Sequence, residues 1–257
     1  MKTGIRFTFM AMLFCPLLAQ AQIGFPVPPY NGQAIAARVA APVDFTGNWV
    51  SIVNEDWRWR MLTPAKGDYS SVLTLNQAGR AEADKWDESQ DGSCKAFGAV
   101  GLLRMPTRLQ ISWADDSTLK IVSDAGMQTR LLRFTLPEGN LPVPSSPSLQ
   151  GFSLASWQMP ASFRPGPNAG PPANGSLSVT TINMTAAWLR RNGVPYSAQS
   201  VLTEYFDTFA APNGEHWLVV TSVLEDPVFH TDRFITSSHF RREANNAKWN
   251  PEACNND

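Results

Sequence analysis

Histidine and cysteine are scarce in this 257-residue chain, at three each. His216, His230 and His239 make no H-x-H or H-E-x-x-H pattern, and no cysteine has a histidine or second cysteine at ligand spacing. A metal site has no motif to rest on. Charge is also sparse: 17% of residues are charged, with 21 basic against 22 acidic and a net charge of -1. That balance lacks the basic excess by which nucleic-acid binding announces itself, so no nucleic-acid partner is expected. There is no P-loop and no Gly-rich dinucleotide fingerprint. Gly151-Phe152-Ser153-Leu154-Ala155 lacks the final glycine of a nucleophile elbow. No cofactor is expected.

What is present is aromatic. Aromatic residues make up 11% of the chain, nine of them tryptophan, which excludes a wholly disordered polymer. The length suits one large domain or two small ones. Lys2 and Arg6 precede an apolar run from Phe7 to Ala19, followed by Ala19-Gln20-Ala21. This is the pattern of a secretory signal at 1–21, cut after Ala21. The run is short of the roughly 20 residues that span a bilayer, and Pro16 interrupts it. A periplasmic or secreted protein follows, not transmembrane once cleaved. Cys15 would leave with the signal. Cys94 and Cys254 are then an even pair in an oxidising compartment, where a disulfide persists. It would close a loop of about 160 residues, worth about 5 kcal/mol in the chain-entropy model. Two unrelated thiols are the alternative.

Residues 22–43 carry Pro26, Pro28, Pro29 and Pro42 among small residues and read as an extended arm outside the core. From Trp49 the pattern alternates, with Trp49, Val53, Trp57, Trp59 and Met61 on one face and Asn54, Asp56, Arg58 and Arg60 on the other, as in a strand. Leu75 to Ser89 is the one good helix candidate, capped by Asn76. Strands are expected at 108–113, 118–123, 128–134, 151–158, 177–184, 199–209, 216–224 and 233–242. Asp115-Asp116-Ser117, Ala125-Gly126 and Pro212-Asn213-Gly214 mark turns between them. Residues 186–191 suggest one helical turn. Residues 160–175 are a Pro/Gly-rich flexible insertion. The sum is an all-β, mainly antiparallel domain over 44–257: a barrel or strongly curled sheet of about nine or ten strands with one or two short helices.

Two resemblances fit these residues. Phe45-Thr46-Gly47-Asn48-Trp49 resembles the Gly-x-Trp opening of lipocalins and related calycin barrels. That likeness implies that Trp49 plugs one barrel end and that Arg241 or Arg242, on the last strand, packs across it. Over most of 44–254 the chain is similar to a group of uncharacterised exported bacterial proteins. The marks are GNWVSIVNEDWRWRM (47–61), CKAFGAVGLLRMPTRLQI (94–111), SLQGFSLASW (148–157), WLRRNGVPYSAQSVLTEYF (188–206) and LEDPVFHTDRFITSSHF (224–240). This second likeness implies an exported single-domain β protein and no particular activity.

Candidate chemistry centres on Glu55 to Arg60. In a barrel mouth Asp56, Arg58 and Arg60 would form a cationic wall for a carboxylate or enolate oxygen, beside Trp57 and Trp59. An outward charged face is the simpler alternative. Glu204 alternates with Leu202 and Phe206, so it points into the core and needs a partner. Glu225 and Asp226 read as solvated turn charges. Asp124 and Arg130 are placed to pair across a hairpin. His239 shares a face with Ile235 and Ser237 and is a candidate buried general base. His216 and His230 read as surface residues. These residues support three functions. The first is a binding barrel with an aromatic-lined cup for a small apolar or aromatic ligand, formed by Trp57, Arg58, Trp59 and Arg60. The second is a cofactor-independent lyase, isomerase or hydrolase using Asp56, Glu204 or His239. The third is an envelope protein-interaction module. The sequence does not fix the oligomeric state.

Overall fold

The structure is a computed structural model, and it describes residues 36–62, 64–69, 74–90, 94–135, 141–159 and 174–254. The expected signal at 1–21, most of the arm and nearly all of the 160–175 insertion lie outside these residues.

Nine strands close a barrel in the order β1-β11-β10-β9-β6-β5-β4-β3-β2. They are β1 (Gly47–Ser51), β2 (Arg108–Asp115), β3 (Thr118–Ser123), β4 (Thr129–Phe134), β5 (Phe152–Gln158), β6 (Ser176–Ile182), β9 (Val201–Ala210), β10 (His216–Glu225) and β11 (Phe234–Glu243). A two-stranded hairpin, β7 (Ala187–Trp188) and β8 (Pro195–Tyr196), stands apart from the barrel, where the sequence suggested a helical turn. Alternation holds along the barrel strands, so every second side chain points inward. All pairings in the barrel are antiparallel except β4 with β5, which run parallel with Leu132 opposite Ser153. A parallel neighbour cannot be reached by a tight turn, and the proline- and serine-rich connection between these strands supplies the required length.

At one end the interior is aromatic. Phe45, Trp49, Phe134, Trp157, Phe206 and Phe240 are buried together with Leu109, Ile111, Leu119 and Leu177. Phe45 stacks on Trp157 at 6.1 Å between centroids, and Phe134 lies 5.0 Å from Trp157. Part of the supposed arm closes this end. Ala37, Ala40, Ala41 and Val43 pack on the cluster, and the Trp157 indole donates to the Ala37 carbonyl at 2.9 Å. Small residues between prolines fit here because the lid must lie close against large rings. Trp49 donates to the Phe45 carbonyl, and the Arg242 guanidinium lies 5.5 Å from the Trp49 ring centre. Gly47, at φ 129, leaves room for that arginine, since a Cβ there would stand 3.1 Å from Nη2.

The other end is covered by non-barrel segments. They are α2 (Gln77–Ala83), a 3-10 turn at Lys95–Phe97, α3 (Ala99–Leu102) and the β7–β8 hairpin, around a second apolar cluster of Leu75, Val100, Met184, Leu189, Tyr196, Leu202, Leu224 and Phe234. Asn76 caps α2 by accepting from the Gly79 N–H at 2.9 Å. The helix is shorter than the expected 75–89 and is followed by a separate 3-10 turn, Glu88–Gln90. Cys94 and Cys254 form a disulfide, which draws the C-terminal tail across the β3–β4 turn. There Glu252 donates to the Asp124 carbonyl at 3.0 Å.

Between the two apolar clusters the barrel is polar. Ser153, Thr181, Glu204, Ser222, Thr236 and Ser238 are buried and come from five strands, with Arg130 on a sixth. Arg130 and Glu204 form a two-bond ion pair, Nη1 to Oε1 at 3.0 Å and Nη2 to Oε2 at 2.6 Å, at 0% and 1% side-chain exposure. Arg130 also donates to Thr181 Oγ1 at 3.3 Å. Asp124 is therefore not the partner of Arg130. It accepts instead from Thr107 Oγ1 at 2.8 Å and the Arg108 N–H at 2.7 Å, and so fixes the start of β2.

Candidate functional site

The first strand ends earlier than its alternation suggests. β1 stops at Ser51, Asp56 takes a left-handed backbone (φ 53), and Trp57–Arg60 form the helical turn α1. The left-handed residue resets the register, so Trp57 and Arg58 do not line the barrel and are exposed. Neither forms a wall of an aromatic cup. The side chain of Trp59 lies outside the described residues.

Arg60 takes a different course. It is buried at 7% exposure and is held by carbonyls. Nε donates to the Arg104 carbonyl at 2.7 Å, Nη1 to Glu55 at 3.3 Å and Nη2 to Leu103 at 3.4 Å. A guanidinium carries five N–H groups, so Arg60 keeps donors to spare. Arg104 lies behind it at 5% exposure. Its Nη1 donates to Thr236 Oγ1 at 2.5 Å, inside the barrel, and its Nη2 to Asp56 Oδ2 at 3.1 Å. Its guanidinium lies 5.0 Å from the Phe234 ring centre. Arg104 therefore joins the polar middle of the barrel to the outside.

Two glycines position Arg104. A Cβ on Gly98 would stand 2.2 Å from the Tyr196 hydroxyl, and one on Gly101 would stand 2.3 Å from the Ala96 carbonyl oxygen. Only their absence lets α3 lie against the β7–β8 hairpin and bring Arg104 over the barrel end. The turn of that hairpin supplies Arg190 and Arg191.

Together these segments form a cleft of about 90 Å³. Arg60, Arg104, Arg190 and Arg191 line it with Met61, Leu62, Pro64, Met105, Pro106 and Leu189, and among the described residues no carboxylate does. Burial, with the charge of Arg104 second, pushes the Arg60 and Arg190 guanidinium pKa values down to about 10, against the opposing pull of Glu55 and Asp56 on Arg60 and of Asp56 and Asp68 on Arg190. Both stay cationic at neutral pH. Burial lowers the Arg104 pKa too, against the opposing pull of Asp56. Cations crowded this way favour an anion beside them, and an arginine fork matches a carboxylate or phosphate in shape.

The three acid–base candidates do not converge. Asp56 is occupied by Arg104 at the edge of the cleft. Glu204 is sealed in its pair with Arg130. His239 is not buried: it stands on the outer face of β11, with Nδ1 2.5 Å from Asn54 Oδ1. Two other residues also differ from expectation. His230 is buried, with Nε2 3.2 Å from the Pro195 carbonyl oxygen. Asp226 is buried, not solvated, and accepts from Ser197 N–H and Oγ, Val228 N–H and Phe229 N–H. Glu225 is exposed beside Arg233.

Of the arginines in the cleft, sequence reasoning singled out only Arg60. The signal for the others was a cation inside an apolar run: Arg104 in GLLRMP and Arg190-Arg191 in WLRRNG. Among the described residues no group of histidine, cysteine, aspartate and glutamate could hold a metal ion. No described helix is long and apolar enough to cross a membrane. Comparison of the chain with protein-family models, with curated proteins and with solved structures finds no match. What fold and site define is thus a class: a closed, mixed β-barrel with one end packed by aromatic rings and a cationic cleft beside the other.

Proposed function

We propose that this protein is an exported binding barrel that takes a small organic anion with an apolar body. The observation that carries this reading is the cleft itself: four arginines, three of them buried, with apolar side chains between them and no acid among the described residues of the lining. A ligand carboxylate would lie between the guanidinium groups, and its apolar part would rest on Met105, Pro106 and Leu189. The aromatic cluster serves as core at the far end and leaves recognition to this cleft. Export is supported by the 1–21 pattern and by the disulfide, a bond that lasts in oxidising compartments.

Calorimetric titration of the full, oxidised chain with aromatic carboxylates and their neutral alcohol or amide counterparts tests this. The acids should bind and the neutral counterparts should bind at least about tenfold more weakly, since hydrogen bonds to a charged group are worth about 1.5–3 kcal/mol. Arg191→Gln, at the half-exposed rim, should weaken the acids without unfolding the chain. Equal binding of acids and neutral analogues, or no binding across the panel, refutes the proposal.

A further inference from the structure

The cleft has an apolar lip that a small soluble ligand would leave in water. Trp57 is 59% exposed, Met61 53% and Leu62 64%. The Met61 N–H donates to the Trp57 carbonyl at 2.9 Å, so the two residues stand one helical turn apart on the same face. Arg58 is exposed in the same turn. Arg60 and Arg104 are buried behind it. Apolar groups thus lie outermost and cations beneath. A bilayer presents the complementary order to an approaching protein, with phosphates outside and acyl chains below, and interfacial tryptophans rest at the headgroup level.

We propose that the Trp57–Leu62 lip and the arginine cleft behind it dock this protein on an anionic lipid bilayer, with a phospholipid phosphate as the anion in the cleft. This rests on the cleft being an anion site, and it names the source of the anion. Two observations favour a bilayer over other partners. Trp57 is not part of the cleft lining, so a ligand held within the cleft leaves it uncovered. A lip of three apolar residues is too small for a stable protein interface, which needs about 800 Å² on each side.

The full, oxidised chain is sedimented with phosphatidylcholine vesicles, with and without a phosphatidylglycerol fraction, while tryptophan emission is recorded. Binding is expected to the anionic vesicles, with a blue shift, and to fall steeply as salt is raised. Trp57→Ala should lower vesicle binding about tenfold or more while leaving the titration with soluble aromatic acids unchanged. Arg191→Gln should weaken both. Equal binding to neutral and anionic vesicles, no binding to either, or full vesicle binding by Trp57→Ala would each overturn the docking. If vesicles fail while soluble acids bind, the docking falls and the anion-binding barrel stands. If neither binds, both fall.

Discussion

Replacing Glu204 with glutamine tests the polar middle of the barrel most directly. The substitution keeps the side chain's size and one acceptor but removes its charge. Arg130 would then be a cation at 0% exposure, losing charge-assisted bonds of 3.0 and 2.6 Å and keeping Thr181 at 3.3 Å. The Tyr196 hydroxyl, near enough to feel the Arg130 charge, is buried but cannot neutralise it. Breaking one side of a buried pair costs about 3–5 kcal/mol, because the surviving charge is stranded. With a urea slope of about 2 kcal/mol per molar, the unfolding midpoint should fall by about 2 M. Arg130→Met combined with Glu204→Leu removes both charges and should recover most of that loss, since well-packed apolar replacements are often neutral or better. Urea unfolding followed by tryptophan fluorescence, with the disulfide intact, measures both variants. A Glu204→Gln cost below about 1 kcal/mol, or a double variant as unstable as the single, would refute the argument that the pair is held by mutual neutralisation.

Two further outcomes follow from the packing of the barrel ends. Burial pushes the Asp226 carboxyl pKa up, but hydrogen bonds from Ser197, Val228 and Phe229 outweigh it and hold the pKa below the usual carboxylate value. A depressed pKa means that its stabilisation is present above about pH 4 and is lost as pH falls through the folded value. Asp226→Asn should cost about 2 kcal/mol or more at neutral pH and flatten the acid limb of a stability–pH curve; an unchanged limb counts against the assignment. Replacing Cys94 and Cys254 together by serine should cost about 2–5 kcal/mol in thermal or urea unfolding, and a loss near zero would show that the tail adds no constraint.

Much of the barrel is legible where alternation and turn chemistry coincide. The 108–134 strands and the 201–225 hairpin lie close to their expected limits, because Asp115-Asp116-Ser117 and Pro212-Asn213-Gly214 sit at the reversals. Glu204 could be oriented from Leu202 and Phe206 alone. Its partner could not, since Arg130 is separated from it by β5 and β6 in the barrel order. Alternation alone over-extends the first strand, because a short period carries no mark of a backbone that turns left-handed at Asp56. The β4–β5 parallel pairing leaves no local pattern at all. The cleft is hidden for a related reason: its arginines come from three segments, and only the helical turn, α3 and the hairpin together bring them to one place.

The seam of the barrel joins residues that are far apart in the chain. β1 pairs with β2 on one side and with β11 on the other, with Asn48 opposite Glu243. Closure is therefore among the last events available to a growing chain: until residues near 243 have emerged, β1 and β10 are open edges able to pair with other molecules. Such distant contacts also slow folding, because the entropy of closing so long a loop is lost before the contact forms. A chain held unfolded until its last strand has emerged would escape the first hazard but not the second. The same topology makes loss of the last strand more damaging than its ten residues suggest, since two edges are exposed at once.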